Sequence, residues 1–253
     1  MNKLPQITLA FWIMKICATT LGETAGDLLS MTLDVGYAMS SLILISVFIV
    51  TLFSQLATRR YHPALYWLVI LSTSTAGTTM SDFMDRTLGL GYATGSAILV
   101  AILLALFAAW YFSEKSLSVD HISTRKGELF YWFAILFSNT LGTALGDFLA
   151  DDSGLGFAGG ALLIGSALFV VALLHYTTRI SSVLLFWLAF VLTRPFGATL
   201  GDVLTKSYDK GGLDFGTVGT SAILLAILVA LVITATVYNR RNVQLRRVEK
   251  SYR

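Results

Sequence analysis

Four aspartates recur in this chain at a fixed distance from a tryptophan and a glycine: Trp12, Gly22 and Asp27; Trp67, Gly77 and Asp82; Trp132, Gly142 and Asp147; Trp187, Gly197 and Asp202. The glycine follows the tryptophan by ten residues and the aspartate lies five beyond it. Each copy sits in an apolar stretch, where a carboxylate is costly unless it is paired, protonated or used. Glu23 adds a fifth acid, with Thr78, Thr143 and Ala198 as its counterparts in the other copies. Carboxylates and hydroxyls are hard oxygen donors, suited to Mg²⁺, Mn²⁺ or Ca²⁺ rather than to a soft metal. The chemistry to expect is therefore binding of a small cation, with the acids exchanging protons as the site opens. His62, His121 and His175 are expected on the opposite side and Cys17 stands alone, so a zinc or copper site of the usual kind is not expected.

A single helical face carries these residues. In the first copy it reads Lys15, Thr19, Gly22, Glu23, Gly26 and Asp27; in the second Ser74, Gly77, Thr78, Ser81 and Asp82. The third gives Asn139, Gly142, Thr143, Gly146 and Asp147, and the fourth Arg194, Gly197, Ala198, Gly201 and Asp202. Small residues let helices approach, and polar ones avoid lipid, so the four faces should turn to a common interior. With the tryptophan near the inner boundary as an interface anchor, the glycine falls about 15 Å further along and the aspartate about 22 Å along. That predicts a ring of carboxylates in an outward-facing vestibule above a layer of glycines and hydroxyls. A purely structural reading remains beside it, in which the stripes serve helix packing and the aspartates cap helix ends.

The elements that must position these residues follow from composition. Hydrophobic residues make up 55% of the chain, charged residues only 13%, and the mean hydropathy is +0.73, which marks a polytopic membrane protein. Eight apolar segments are expected to span as helices, paired into four tandem hairpin repeats at approximately 8–56, 64–112, 128–176 and 181–238 of one transmembrane domain covering residues 1–253. Two helices per unit make successive copies enter the membrane in the same direction, so pseudo-symmetry about the membrane normal is expected. The fourth unit is looser: Lys206 to Lys210 has no counterpart elsewhere, and either Phe215 or Gly216 stands where Gly36, Gly91 and Gly156 open the second helix. The first segment matches later ones in its Trp, Gly and Asp and is expected to be retained rather than cleaved.

Cations set the orientation. Thirteen Lys and Arg residues fall on one side, six of them in the basic tail at 239–253, and three on the other, namely Arg86, Lys206 and Lys210. Positive-inside bias then places both termini in the cytoplasm. The net charge of +3 comes largely from the tail and points to anionic lipid, not nucleic acid.

Lys15 and Arg194 are the two inward cations. Lys15 either tunes the acids or snorkels to the interface, and Arg194 either serves binding or neutralises its neighbours. Five inward acids against these two leave three formal negative charges for a cation or protons to balance.

Four tandem two-helix units, each with its tryptophan (Trp12, Trp67, Trp132, Trp187) and a small-residue motif ending in aspartate, resemble a bacterial membrane-protein family defined by a "repeat of unknown function". The resemblance implies an integral bacterial inner-membrane protein of eight helices and no particular activity. Transport of a small cation, by preference a divalent metal ion with proton coupling, is the function expected. Its site would comprise Glu23, Asp27, Asp82, Asp147 and Asp202 as metal or ion ligands, with Thr78, Thr143 and Asn139 beside them and Lys15 and Arg194 tuning the charge. No cofactor is expected, and the ring could assemble within one chain or across copies in a homo-oligomer. The alternatives are a structural or partner-binding membrane protein and an intramembrane aspartyl enzyme. The latter rests only on the Gly-Asp pairs at 26–27, 146–147 and 201–202, and the wider glycine signature is missing at Thr24, Ala144 and Thr199.

Overall fold

The computed structural model describes residues 4–119, 122 and 124–251, with residues 240–251 as backbone only. Lys3, His121 and Arg253, used above for orientation and metal chemistry, lie outside the described residues, as do the side chains of the basic tail. Eight α-helices account for the described architecture: α1 (Leu9–Asp27), α2 (Tyr37–Ala57), α3 (Pro63–Asp82), α4 (Tyr92–Glu114), α5 (Arg125–Asp147), α6 (Gly156–Thr177), α7 (Ser182–Thr205) and α8 (Thr217–Ser251).

The odd helices begin with local devices that satisfy free backbone N–H groups. Thr124 Oγ1 accepts from the Gly127 N–H at 2.9 Å, Thr8 and Ser181 stand in the same relation to α1 and α7, and Pro63 opens α3. At their far ends, α1, α3 and α5 loosen into five-residue π-helical turns at Leu28–Thr32, Phe83–Thr87 and Phe148–Asp152. Gly36, Gly91 and Gly156 then reverse the chain at φ of 78°, 70° and 65°, values that few side-chain-bearing residues adopt. Gly216 has φ 72° and stands immediately before α8, which makes it, and not Phe215, the counterpart in the fourth unit. It lies fourteen residues after Asp202, against nine after each other aspartate, and the extra length forms a short 3-10 turn at Tyr208–Lys210.

Six helices are long and apolar enough to cross a membrane: α2, α4, α5, α6, α7 and the Thr217–Asn239 part of α8. α1 and α3 are not in that set, and their polar residues explain it. Lys15, Thr19, Thr20, Glu23, Thr24 and Asp27 on α1, and a run of serines and threonines on α3, are all buried. These two helices, like α5, meet mostly protein, whereas α2, α4, α6 and α8 present most of their surface outward, so apolarity is not required of them.

α1, α3, α5 and α7 pack in a closed ring, each touching the next and α7 returning to α1. The second layer corrects the hairpin expectation. α2 packs against α3, α4 against α5 and α6 against α7, while α8 closes on α1. Each even helix thus crosses to the odd helix of the following unit and only its connecting turn stays with its own. The repeat in sequence is not the packing unit in space.

Glycine brings the ring together. A Cβ on Gly22 would enter the Ser74 side chain, one on Gly142 the stem of Arg194, and one on Gly197 the side chain of Thr19. A Cβ on Gly77 would stand 2.9 Å from the backbone of Asn139 and Thr140. Backbone cannot rotate aside as a side chain can, so Gly77→Ala should destabilise by about 1–3 kcal/mol. Gly219→Ala, with nothing within 4 Å of the added carbon, should be neutral or slightly stabilising. Thermal unfolding of the two variants in the same detergent checks the contrast.

Candidate functional site

Because the odd helices share one register, equivalent residues from the four copies meet in layers. At the end where the odd helices begin, Trp67, Trp132 and Trp187 are buried with Tyr66, Tyr131 and Phe190 in a continuous aromatic cluster. The Tyr66 and Tyr131 hydroxyls are 2.7 Å apart, and Trp187 Nε1 donates to the Leu117 carbonyl at 3.0 Å. Interface anchoring, expected for the tryptophans, therefore does not describe these three; they plug one end of the ring. Only Trp12 is partly exposed.

Lys15 lies next along the axis and does not snorkel. It is fully buried, its Nζ 4.1 Å from the centre of the Phe190 ring and 3.4 Å from Asn139 Oδ1. Asn139 in turn donates through Nδ2 to Thr73 Oγ1 at 2.9 Å.

Above it, Arg194 reaches from α7 to Glu23 of α1. Its Nη2 is 2.8 Å from Glu23 Oε2 and 2.6 Å from the hydroxyl oxygens of both Thr78 and Thr143. The hydroxyls also approach the same carboxylate oxygen, at 3.3 and 3.4 Å. Glu23, Thr78 and Thr143 occupy equivalent repeat positions, so a single divergent residue, the arginine one turn earlier in the fourth copy, ties the other three inner helices to its own.

The aspartates form the last layer. None of Asp27, Asp82 or Asp147 caps the π turn that follows it, which removes the helix-capping explanation for their presence. All four are buried, and two cations sit on them. Arg86 Nε is 3.0 Å from Asp82 and its Nη2 3.3 Å from Asp147; Lys206 Nζ is 2.7 Å from Asp27 and 3.2 Å from Asp202. The Arg86 and Lys206 side chains are 33% and 21% exposed, against 3–6% for the four carboxylates, so the cations form the partly exposed cover of the ring. Burial acts against the charge on Lys206, but the carboxylates of Asp202 and Asp27 outweigh it and hold the ammonium above its ordinary pKa.

These two cations are what sequence reasoning missed, having used them only for orientation. The signal was present: Arg86 and Lys206 each follow a repeat aspartate by four residues, one helical turn, while Met31 and Asp151 stand at that place in the other two copies. Counting them changes the charge balance. Five carboxylates now face four cations, Lys15, Arg86, Arg194 and Lys206, and one formal negative charge remains in place of three.

All the expected acids thus meet within one buried core, with Thr78 and Thr143 beside Glu23 and Asn139 one layer lower. Glu23, Asp147 and Asp202 come closest, each offering a carboxylate oxygen within 4.8 Å of the others. Asp27 and Asp82 are held at the cations. His62 precedes α3 and His175 lies in the last turn of α6, both at the aromatic end and away from the acids.

Four segments of the chain, residues 10–61, 65–116, 130–181 and 185–241, match the family described as Repeat of Unknown Function (DUF347). No curated protein and no solved structure is matched.

Removing Arg194 would leave Glu23 as a buried carboxylate without its ion-pair partner. Arg194→Met should therefore cost about 3–5 kcal/mol, and adding Glu23→Gln should recover much of it. A double-mutant cycle on unfolding in detergent measures both.

Proposed function

The chain belongs to the Repeat of Unknown Function (DUF347) family, and on that four-repeat frame we propose that it transports a small, hard cation across a bacterial inner membrane, binding it at Glu23, Asp147 and Asp202. The observation that carries the proposal is the convergence of three buried carboxylates, from three different helices, within 4.8 Å of one another. Oxygens no more than 4.8 Å apart can share one hard cation such as Ca²⁺, whose ligands lie at about 2.3–2.6 Å. The aspartate layer carries two more carboxylates than cations, which a divalent ion balances.

In this reading all eight helices span, α1 and α3 shielded by their neighbours, with the four units arranged about the membrane normal. The excess of cations at the aromatic end supports a cytoplasmic location for both termini, with the aspartate layer outermost. Arg86 and Lys206 act as internal counter-ions: with no metal bound they offset two of the four aspartate charges, and an entering cation displaces them outward, toward the water they already touch. Protons leave or join the same carboxylates as the counter-ions move. A shared-proton aspartyl dyad is less well supported, because each aspartate already has a cation against it.

Purified protein in liposomes loaded with a metal-sensitive dye provides the test. Uptake of Ca²⁺ or Mn²⁺ should exceed that of empty liposomes and fall at least about tenfold in Asp147→Asn and Asp202→Asn, each checked for folding. Wild-type protein that moves none of Mg²⁺, Mn²⁺ or Ca²⁺ under either orientation of a pH gradient would exclude the proposal.

A further inference from the structure

Below the carboxylates the buried polar groups have chemistry of the opposite sign. Arg194 is fully buried, yet only its Nη2 is engaged; Nε and Nη1 have no hydrogen-bond partner. Lys15, also fully buried and close enough for its charge to act on Arg194, has one long contact to Asn139 and the face of Phe190. Ser74 Oγ, at the repeat position equivalent to Asn139 and Arg194, is buried without a partner as well. The charged groups of the four inner helices at this depth are Lys15 and Glu23 from α1 and Arg194 from α7; α3 and α5 contribute uncharged groups, Thr73, Ser74 and Asn139 with Thr78 and Thr143 on the Glu23 side. One carboxylate therefore faces two cations, and the unmet groups are N–H donors and a hydroxyl able to donate.

A buried guanidinium with two idle nitrogens beside a buried ammonium is costly in an apolar surround. A water molecule would meet part of the hydrogen-bonding demand and none of the charge. An anion meets both. Its size is limited by the helix contacts: the stem of Arg194 fills the space a Cβ on Gly142 would need, and Ser74 does the same at Gly22. We propose that a halide-sized monovalent anion binds between Lys15 and Arg194, held by Arg194 Nε and Nη1, Lys15 Nζ and Ser74 Oγ. The site is distinct from the carboxylate cluster on the other side of the guanidinium and does not depend on cation transport.

The experiment uses the full chain in detergent at constant ionic strength, with gluconate replaced stepwise by chloride or bromide. Wild type should melt at progressively higher temperature with either halide, and bromide-soaked crystals should give an anomalous peak within hydrogen-bonding distance of Arg194 Nε or Nη1. Lys15→Met, which keeps most of the volume and removes the charge, should weaken the apparent halide affinity at least about tenfold. Identical melting in gluconate and bromide together with no peak at Arg194 would overturn the proposal in favour of water. A halide effect that persists undiminished in Lys15→Met would overturn it by placing the ion elsewhere. Should Lys15→Met not fold, the presence or absence of the bromide peak decides.

Discussion

Where two helices meet at glycine, one backbone lies against the side chain or backbone of the next, and four such contacts at Gly22, Gly77, Gly142 and Gly197 close the ring. Side chains that point inward from α1, α3, α5 and α7 then have no lipid and little water to turn to. Their only solution is one another, and the layers follow: aromatics at one end, a lysine on a ring face and an amide, an arginine on a glutamate, and cations on aspartates. Without the close approach, Glu23 and Arg194 would not share a 2.8 Å contact across helices drawn from opposite ends of the chain.

Four near-identical units would place four identical residues in every layer, and identical charges repel. The chain avoids that by diverging at few positions. Lys15, Glu23, Arg86, Arg194 and Lys206 each appear in one or two copies only, and each contacts a residue of another copy. Arg86 and Lys206 bridge α3 to α5 and α7 to α1, which leaves the α1–α3 and α5–α7 boundaries of the aspartate layer without a cation. The repeat supplies the scaffold, and the exceptions supply the electrostatics.

Much of this was legible in the sequence, and the losses have physical causes. The helices, the inward polar faces and the meeting of Glu23, Thr78 and Thr143 follow from 3.6-residue periodicity and the cost of polar groups in lipid. The crossing of each even helix to the next unit did not follow, because adjacency in sequence suggests a hairpin and nothing in the apolar surfaces of α2, α4 or α6 names its partner. The tryptophans misled because an aromatic near a helix start suits an interface or a plug equally well by composition. Arg86 and Lys206 escaped because turn residues were read only for topology, although their spacing from Asp82 and Asp202 was in view.

The ring also has an order in time. α1 is synthesised before the other seven helices and is the richest of the inner four in charge at the core, yet its companions come late: Lys15 waits for Asn139, Glu23 for Arg194 and Asp27 for Lys206, at separations of 124, 171 and 179 residues. α8, made after the other seven, packs on it from outside the ring. A nascent chain therefore holds its most polar inner helix with its charges unmet until the fourth unit has been made, and closure of the ring around α1 waits on that unit.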